Sequence, residues 1–267
     1  MFNIGDIAIT SLDTITSFGL DGTYNFTLDE LQNAKIANTQ EKTDITGKGG
    51  RKLNSLKKNK GVVISGTNGL LSGGLLEAQT GSEFKEVDKA PVLWTEYLTV
   101  GNANTVNTGY KAVGTEGKEI KNLYIRNADG TLGKKLTQAA DAAATGKFTY
   151  APATKLLTFN ETDCPEGTEI VVMYERNIKA NVLENVSDVF SKKAQLYVDA
   201  TGEDKCGNVY RIQFYIPKAD FAGNFDFDLG GDQVVHAFEA ESLAGACGAD
   251  GSLWTYTIFG VGEGDAA

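Results

Sequence analysis

Four residues of this chain belong to the types that most often do covalent or metal chemistry: one histidine, His236, and the cysteines Cys164, Cys206 and Cys247. A zinc site normally combines several His and Cys ligands. The cysteines are widely separated, none stands in a CxxC pair, and His236 lies in the apolar stretch VVHAFEA. We therefore expect a structural histidine, reduced cysteines and no metal site. A Cys–His nucleophile pair stays open, because no local sequence favours one cysteine over the others.

The acidic residues offer a second kind of chemistry. The segment DFDLGGD at residues 226–232 resembles a calcium loop, but it lacks the EF-hand spacing and the glutamate at the twelfth position. Alternation with Phe225, Phe227 and Leu229 explains Asp226 and Asp228 as the polar face of a strand. A carboxylate pair for glycoside hydrolysis stays open, since acids are plentiful. No GxSxG elbow or P-loop is present, so the sequence predicts a protein that is not an enzyme and uses no cofactor.

Charge is unevenly distributed along the chain. Its net charge is −10, which makes it a poor reader of nucleic acid. Residues 47–60 nevertheless contain six basic and no acidic side chains, whereas twelve acids face three basic residues from Asp199 onward. Regions of opposite charge suit self-association, although an ordinary solvated hairpin and an ordinary acidic surface would give the same counts.

The elements that would position these residues are mostly strands. VYRIQFYI, NFDFDL and LWTYTIF in the last eighty residues alternate apolar and polar side chains, which is typical of antiparallel strands with one solvated face. EIVVMYE at residues 169–175 is apolar on both faces and predicts a buried central strand. Strands are also expected around VLWTEYLTV, LYIR and the hairpin GKFTYAPATKLLTF.

Two helices and one long hairpin are expected in the first third of the chain. TLDE at residues 27–30 fits a capping box, and Leu28, Leu31, Ala34 and Ile36 form an apolar stripe that predicts a helix ending near Asn38. A long hairpin with a basic tip follows, with its turn at GKGG (residues 47–50). A second helix is expected between Asn68 and Gly81, and its glycines favour close packing on a sheet.

These elements predict a mainly β fold: an antiparallel β-sandwich or half-barrel flanked by one or two short α-helices, with a long projecting hairpin. We expect a single domain spanning residues 1–267, with residues 101–165 forming a β-rich insertion or an elaborated loop within it. The N-terminus has no basic and continuous apolar stretch, and no run of about 18 apolar residues occurs, so neither export nor a membrane span is expected.

Two segments together resemble the major tail proteins, or tail tube proteins, of tailed bacteriophages. The first runs from LDELQNAKIANTQEKTDITGKGG through RKLNSLKKNKGVVISGTNGLL and contains the family's long hairpin followed by its helix. The second is VYRIQFYIPKADFAGNFDFDLGGDQVVHAFEAESLAG followed by LWTYTIF, which is similar to the last strands of the tube protein. The two segments cover about half of the chain.

The resemblance implies a structural virion protein made in the bacterial host cytoplasm. Six copies would form a ring whose inner sheets join into one β-barrel, and stacked rings would form the tail tube through which double-stranded DNA passes without specific binding. Its partners would be further copies of itself and other tail proteins, with no membrane. The resemblance also suggests roles for charged residues. The basic residues Lys48, Arg51, Lys52, Lys57 and Lys58 are candidates for the contact between stacked rings, and Asp226 and Asp228 are candidates for the lumen lining, unless they serve solubility alone.

Three other classes share parts of this pattern. A capsid decoration or head–tail joining protein has the same composition but assembles into closed trimers or single rings. A bacterial Ig-like surface module suits the central hairpins but requires export. An acidic β-sandwich hydrolase requires a convergent carboxylate pair in a cleft.

Overall fold

The structure is a computed structural model, and it describes residues 6–227, 235–244 and 251–260. The chain divides into two compact units, one built from Met1–Phe84 with Leu183–Ala267 and the other from Lys85–Val182. In chain order, the elements of the described residues are β1 (Ile7–Gly19), β2 (Tyr24–Leu28), β3 (Leu31–Thr46), β4 (Lys52–Asn68), α1 (Gly73–Thr80), β5 (Lys85–Thr99), β6 (Thr105–Asn107), β7 (Ile120–Arg126), β8 (Leu132–Gln138), β9 (Lys147–Ala151), β10 (Leu156–Phe159), β11 (Glu169–Val182), β12 (Lys193–Asp204), β13 (Val209–Phe221), β14 (His236–Ser242) and β15 (Thr255–Gly260), with single 3-10 turns at Lys48–Gly50 and Asn102–Asn104.

The first unit contains one antiparallel sheet in the order β2-β1-β12-β13-β14-β4-β3, and β15 pairs with the first half of β13. Its strands alternate between buried and exposed residues: Ala194, Leu196, Val198 and Ala200 of β12 are buried, and the residues between them are more exposed. The buried face packs on Leu75 and Ala78 of α1 and forms one apolar core. The predicted mainly β fold, with a curled half-barrel, a short helix and a long hairpin, is confirmed.

Helix α1 lies where the second predicted helix was expected, but it begins later. Asn68 is still part of β4, and the side chain of Ser72 caps the helix by accepting a hydrogen bond from the Leu75 N–H. Gly81 ends it in the left-handed conformation (φ +77°) and donates its N–H to the Glu77 carbonyl. A Cβ on Gly74 would lie 2.7 Å from the Cβ of Phe26, so this glycine allows the predicted close packing on the sheet.

The helix predicted from Thr27 is wrong, because these residues form the end of β2 and the start of β3. The apolar stripe has another cause. A register shift between Gln32 and Lys35, with Asn33 at φ +53°, adds a residue to β3. A bulge of this kind interrupts the two-residue alternation of a strand. Leu31, Ala34 and Ile36 therefore point to the core at spacings of three and two residues, which imitates the period of a helix.

Strands β3 and β4 form the predicted long hairpin. Their ladder runs from Leu31↔Asn68 to Thr46↔Lys52, and β4 is anchored on β14 only over Val62 to Asn68. At about 3.3 Å per residue, a strand of 16 residues is ~50 Å long. The part of β4 that precedes Val62, together with its partner residues in β3, therefore forms a two-stranded arm that leaves the sheet.

The second unit contains a separate sheet in the order β5-β11-β7-β8-β9-β10-β6. β11 lies between β5 and β7 with Ile170, Val171, Val172 and Tyr174 buried, which confirms the expected central strand. Residues 101–165 form β6 to β10 of this sheet and contribute most of its core. Whether they are an insertion within one larger domain stays a prediction. Among the residues described, no helix is long and apolar enough to cross a membrane.

Candidate assembly surfaces

The arm of the β3–β4 hairpin, residues 38–60, is exposed on both faces. Within this range only Gly47 and Ser55 are even partly covered. The arm carries the apolar side chains Ile45, Leu53 and Leu56, which are 41, 58 and 55 % exposed. An isolated two-stranded hairpin is at best marginally stable in water, so burial of these apolar side chains would stabilise the arm.

The two faces of the arm differ in character. Side chains of directly opposed residues share a face, so Thr43 with Leu56 and Ile45 with Asn54 form a largely apolar surface. The other face pairs Lys42 with Lys57 and Asp44 with Ser55. The arm is therefore a ribbon with a basic side and a more apolar side, which also carries Glu41 and Lys58.

The five predicted basic residues divide between these faces and the turn. Lys52 donates to Asp44 over 2.7 Å, and this carboxylate raises the pKa of Lys52. Lys57 shares that face, whereas Lys58 lies 3.9 Å from Glu41 on the apolar face. Lys48 and Arg51 lie at the turn, and within the described part of the chain neither they nor Lys57 has an ion-pair partner.

Sequence reasoning missed the residues that complete the arm: Lys42, Asp44, Ile45, Leu53 and Leu56. Lys42 lies 3.9 Å from Asp44, so Lys42 and Lys52 share the carboxylate of Asp44. In KTDIT, Lys42 and Asp44 alternate with Thr43 and Ile45, so the sequence already separates a charged from a less polar face. Which residues of RKLNSLKK share each face is known only from the register of the hairpin.

Only one of the two predicted lumen residues can be placed. Asp226 is exposed, and Asp228 lies outside the described residues. The strand predicted for NFDFDL is wrong over residues 224–226, which form no strand, and Phe227 makes only an isolated bridge to His236. Phe225 and Phe227 nevertheless share one side, as expected, because both rings lie on the imidazole of His236, at 6.1 and 5.1 Å between centroids.

The solvent face of β1, β12 and β13 carries an ordered polar network. Arg211 and Thr201 both donate to Asp13, and the Gln213 amide donates to Asp199 over 2.8 Å. Hydrogen bonds from Ser11 and Thr201, together with the Arg211 guanidinium, lower the pKa of Asp13. In the next row the rings of Tyr197 and Tyr215 stack at 4.7 Å. The face is thus polar and free of unpaired basic groups among its described members.

His236 is fully buried and connects the sheet to helix α1. Its Nδ1 accepts from the Ser72 N–H (3.4 Å) and its Nε2 lies 2.7 Å from Oε1 of Gln79, so the tautomer with the proton on Nε2 satisfies both contacts. The Gln79 amide also donates to the carbonyl of Ala237 over 2.9 Å. Burial lowers the pKa of His236. The contacts are those of a structural histidine.

Cys164 and Cys206 belong to the described residues, and Cys247 lies outside them. Cys164 is buried, and burial raises the pKa of its thiol to about 11, which keeps it protonated at neutral pH. Cys206 is exposed and both thiols are free. No group of three or more His, Cys, Asp or Glu residues that could hold a metal ion occurs in the described ranges.

The comparison with known proteins agrees with this geometry. The model of the YomU/Tube protein family matches residues 8–253, a range that includes the hairpin, helix α1 and the strands of both sheets except β15. No curated protein matches the chain. The resemblance found in the sequence is confirmed, and the chain belongs to the YomU/Tube protein family, a family of structural proteins of the phage tail tube.

Proposed function

We propose that this protein forms hexameric rings that stack into a phage tail tube, with the hairpin arm of each copy lying on a neighbouring ring. The arm carries the proposal, because residues 38–60 leave their own sheet and are exposed on both faces. Burial of Ile45, Leu53 and Leu56 against a neighbour would supply the apolar contact that a two-stranded ribbon needs.

The basic residues of the arm and its turn give the stack its direction. Lys48, Arg51, Lys52, Lys57 and Lys58 are the proposed contact residues, and the acid-rich part of the chain after Asp199 is the proposed partner surface on the next ring. A contact between two different surfaces of the same protein repeats along a filament instead of closing on itself. Because the contact is partly electrostatic, raised salt should weaken it.

Passage of DNA requires a lumen that does not bind phosphate. We place Asp226 and Asp228 in its lining, and the ordered polar face with Asp13 and Asp199 supports a lining of the same character. Exposed carboxylates repel the DNA backbone over roughly a Debye length, about 8 Å at physiological salt. Other tail proteins would bind the two ends of the finished tube in the virion.

Charge reversal on the arm tests the stacking contact. The double variant Lys57→Glu with Lys58→Glu should give rings but few or no tubes at physiological salt by electron microscopy, because repulsion replaces attraction at the acidic partner surface. A matched control reverses Lys111 and Lys118, two exposed lysines of the second unit, and should leave tube formation unchanged.

Each alternative has its own outcome in the same images. Normal tubes from the arm variant would show that these lysines do not hold the stack. Wild-type protein that stays monomeric at high concentration would disprove the tube itself. Closed trimers or single rings that never stack would instead point to a capsid decoration or head–tail joining protein.

A further inference from the structure

The sheet of the second unit carries a small depression where β5, β11 and β7 lie side by side. It measures about 70 Å³, enough for several water-sized groups. Its lining residues are Tyr97, Leu98, Thr99, Arg126, Glu169 and Ile170. Leu98 and Ile170 belong to the core side of their strands, so the alternation of the strands places the other four side chains on the outer face, away from the core.

Three of these side chains hold one another in place. The guanidinium carbon of Arg126 lies 5.5 Å from the centre of the Tyr97 ring, a cation–π contact, and its Nη1 donates to Glu169 over 3.0 Å. Tyr97 is nevertheless 68 % exposed, more than any other tyrosine that the structure describes. A guanidinium has several N–H donors and a carboxylate has two acceptor oxygens, so their mutual hydrogen bond leaves groups of both kinds for a ligand beside an exposed ring.

These groups select the chemistry of the ligand. The charges of Arg126 and Glu169 cancel, so the pair favours neither an anion nor a cation. A purely apolar ligand would take water from both charged groups without replacing its hydrogen bonds. Hydroxyl groups both donate and accept, so two neighbouring hydroxyls can bind the guanidinium and the carboxylate together. A sugar ring combines such hydroxyls with a C–H face that packs on the negative face of an aromatic ring.

The edge strand β5 extends this surface beyond one sugar. Its outward-facing residues from Pro91 onward are all exposed and uncharged: Pro91, Leu93, Thr95, Tyr97 and Thr99. Leu93 is 58 % exposed and lies four residues before Tyr97, which is ~13 Å along a strand. Because β5 is the outermost strand of its sheet, this uncharged strip is accessible from the side as well as from above. Such a strip is longer than one sugar ring.

We propose that the outer face of the second unit binds a neutral oligosaccharide, with Tyr97 packing on one sugar ring and Arg126 and Glu169 binding its hydroxyl groups. A chain of linked sugars is the occupant, because the uncharged strip of β5 continues past the depression. The site shares no residue with the surfaces assigned to tube assembly, so the inference goes beyond the proposed function and does not depend on it.

Isothermal titration calorimetry with the full-length protein tests the site. Cellohexaose, maltohexaose and the hexamer of N-acetylglucosamine are the neutral probes, hexagalacturonate is the anionic probe, and glucose is the single ring. Tyr97→Ala removes the ring, Tyr97→Phe keeps it, and Glu169→Gln removes the carboxylate charge with little change of shape. Tyr24→Ala is the matched control, because it removes an exposed tyrosine of the first unit.

At least one neutral hexamer should bind to the wild type. Tyr97→Ala should weaken that binding by about tenfold or more, which is the effect of losing an aromatic anchor. Glu169→Gln should also weaken it, whereas Tyr97→Phe and Tyr24→Ala should bind as the wild type does. Glucose and hexagalacturonate should bind more weakly than the hexamer.

Absence of binding by all three neutral hexamers would overturn the proposal, and so would equal binding by the wild type and Tyr97→Ala. Tighter binding of hexagalacturonate would make this an anion site instead, and equal binding of glucose would contradict the linked chain. Self-association that Tyr97→Ala abolishes, without sugar binding, would assign the face to a protein partner. None of these results bears on tube formation, which electron microscopy tests separately.

Discussion

At the scale of single residues, His236 explains how one titratable group can hold an element in place. It lies between the cap of α1, the side chain of Gln79 and two phenylalanine rings. The imidazole must be neutral there, because its Nδ1 accepts from the Ser72 N–H and protonation would place a second hydrogen in that contact. A buried polar group with all its partners fixes geometry more strictly than an apolar one.

Acid should therefore loosen the first unit through His236. Its folded-state pKa is lowered from 6.5, so below that pH the unfolded chain binds a proton before the folded one does. The free energy of unfolding should fall as the pH drops below about 6.5, and His236→Gln should show a flatter dependence between pH 7 and 5 in urea denaturation. Parallel curves for the two proteins would contradict this role. Loss of the carboxylate contacts of Asp13 belongs to a lower range, near pH 4 and below, and should be common to both.

At the scale of elements, helix α1 depends on Gly81, the residue that caps its C-terminus. Gly81 has φ +77°, and a Cβ there would collide with the carbonyl of Phe190. Gly81→Ala should lower the free energy of unfolding by about 1–2 kcal/mol or more, since left-handed backbone costs a residue with a Cβ that much before any clash is counted. The measurement is chemical denaturation followed by circular dichroism.

Gly223→Ala is the control for that variant. Its Cβ would have 3.8 Å to the nearest atom, the Gln79 carbonyl, and its φ lies outside the left-handed range. The change should stay within about 0.5 kcal/mol of wild type. An equal loss of unfolding free energy in both variants would show that the left-handed cap at Gly81 does not stabilise α1.

The same scale shows what the sequence could predict. The hairpin, α1 and most strands with clean alternation were predictable, because each pattern is local. NFDFDL alternates as cleanly but forms no strand over residues 224–226. β3 was not, since its bulge at Asn33 places Leu31, Ala34 and Ile36 on one side only after pairing with β4. The basic residues of the arm were predictable from composition. Their division between two faces was not, and neither was the meeting of Tyr97, Arg126 and Glu169 at one depression, because register and strand order are properties of the folded sheet.

At the scale of the whole molecule, the described residues form two hydrophobic cores that share no residue. One is built around Leu196 and Ile216 of the first unit and the other around Leu123 and Tyr174 of the second. The first unit carries the arm and the basic contact residues, so every surface assigned to assembly belongs to it. This division leads us to expect that the second unit, including residues 101–165, can change its stability without changing the tube.

Core truncation in each unit tests that expectation. Leu123 is 0 % and Leu196 is 1 % exposed, so replacing either with alanine should cost about 2–5 kcal/mol. With separate cores, Leu123→Ala should move only one of two unfolding transitions in scanning calorimetry and spare tube formation, whereas Leu196→Ala should move the other and impair it. Ala90→Gly, a change at a buried alanine outside both cores, controls for the loss of a small side chain. One transition that shifts equally in both leucine variants would mean that residues 1–267 fold as a single cooperative domain.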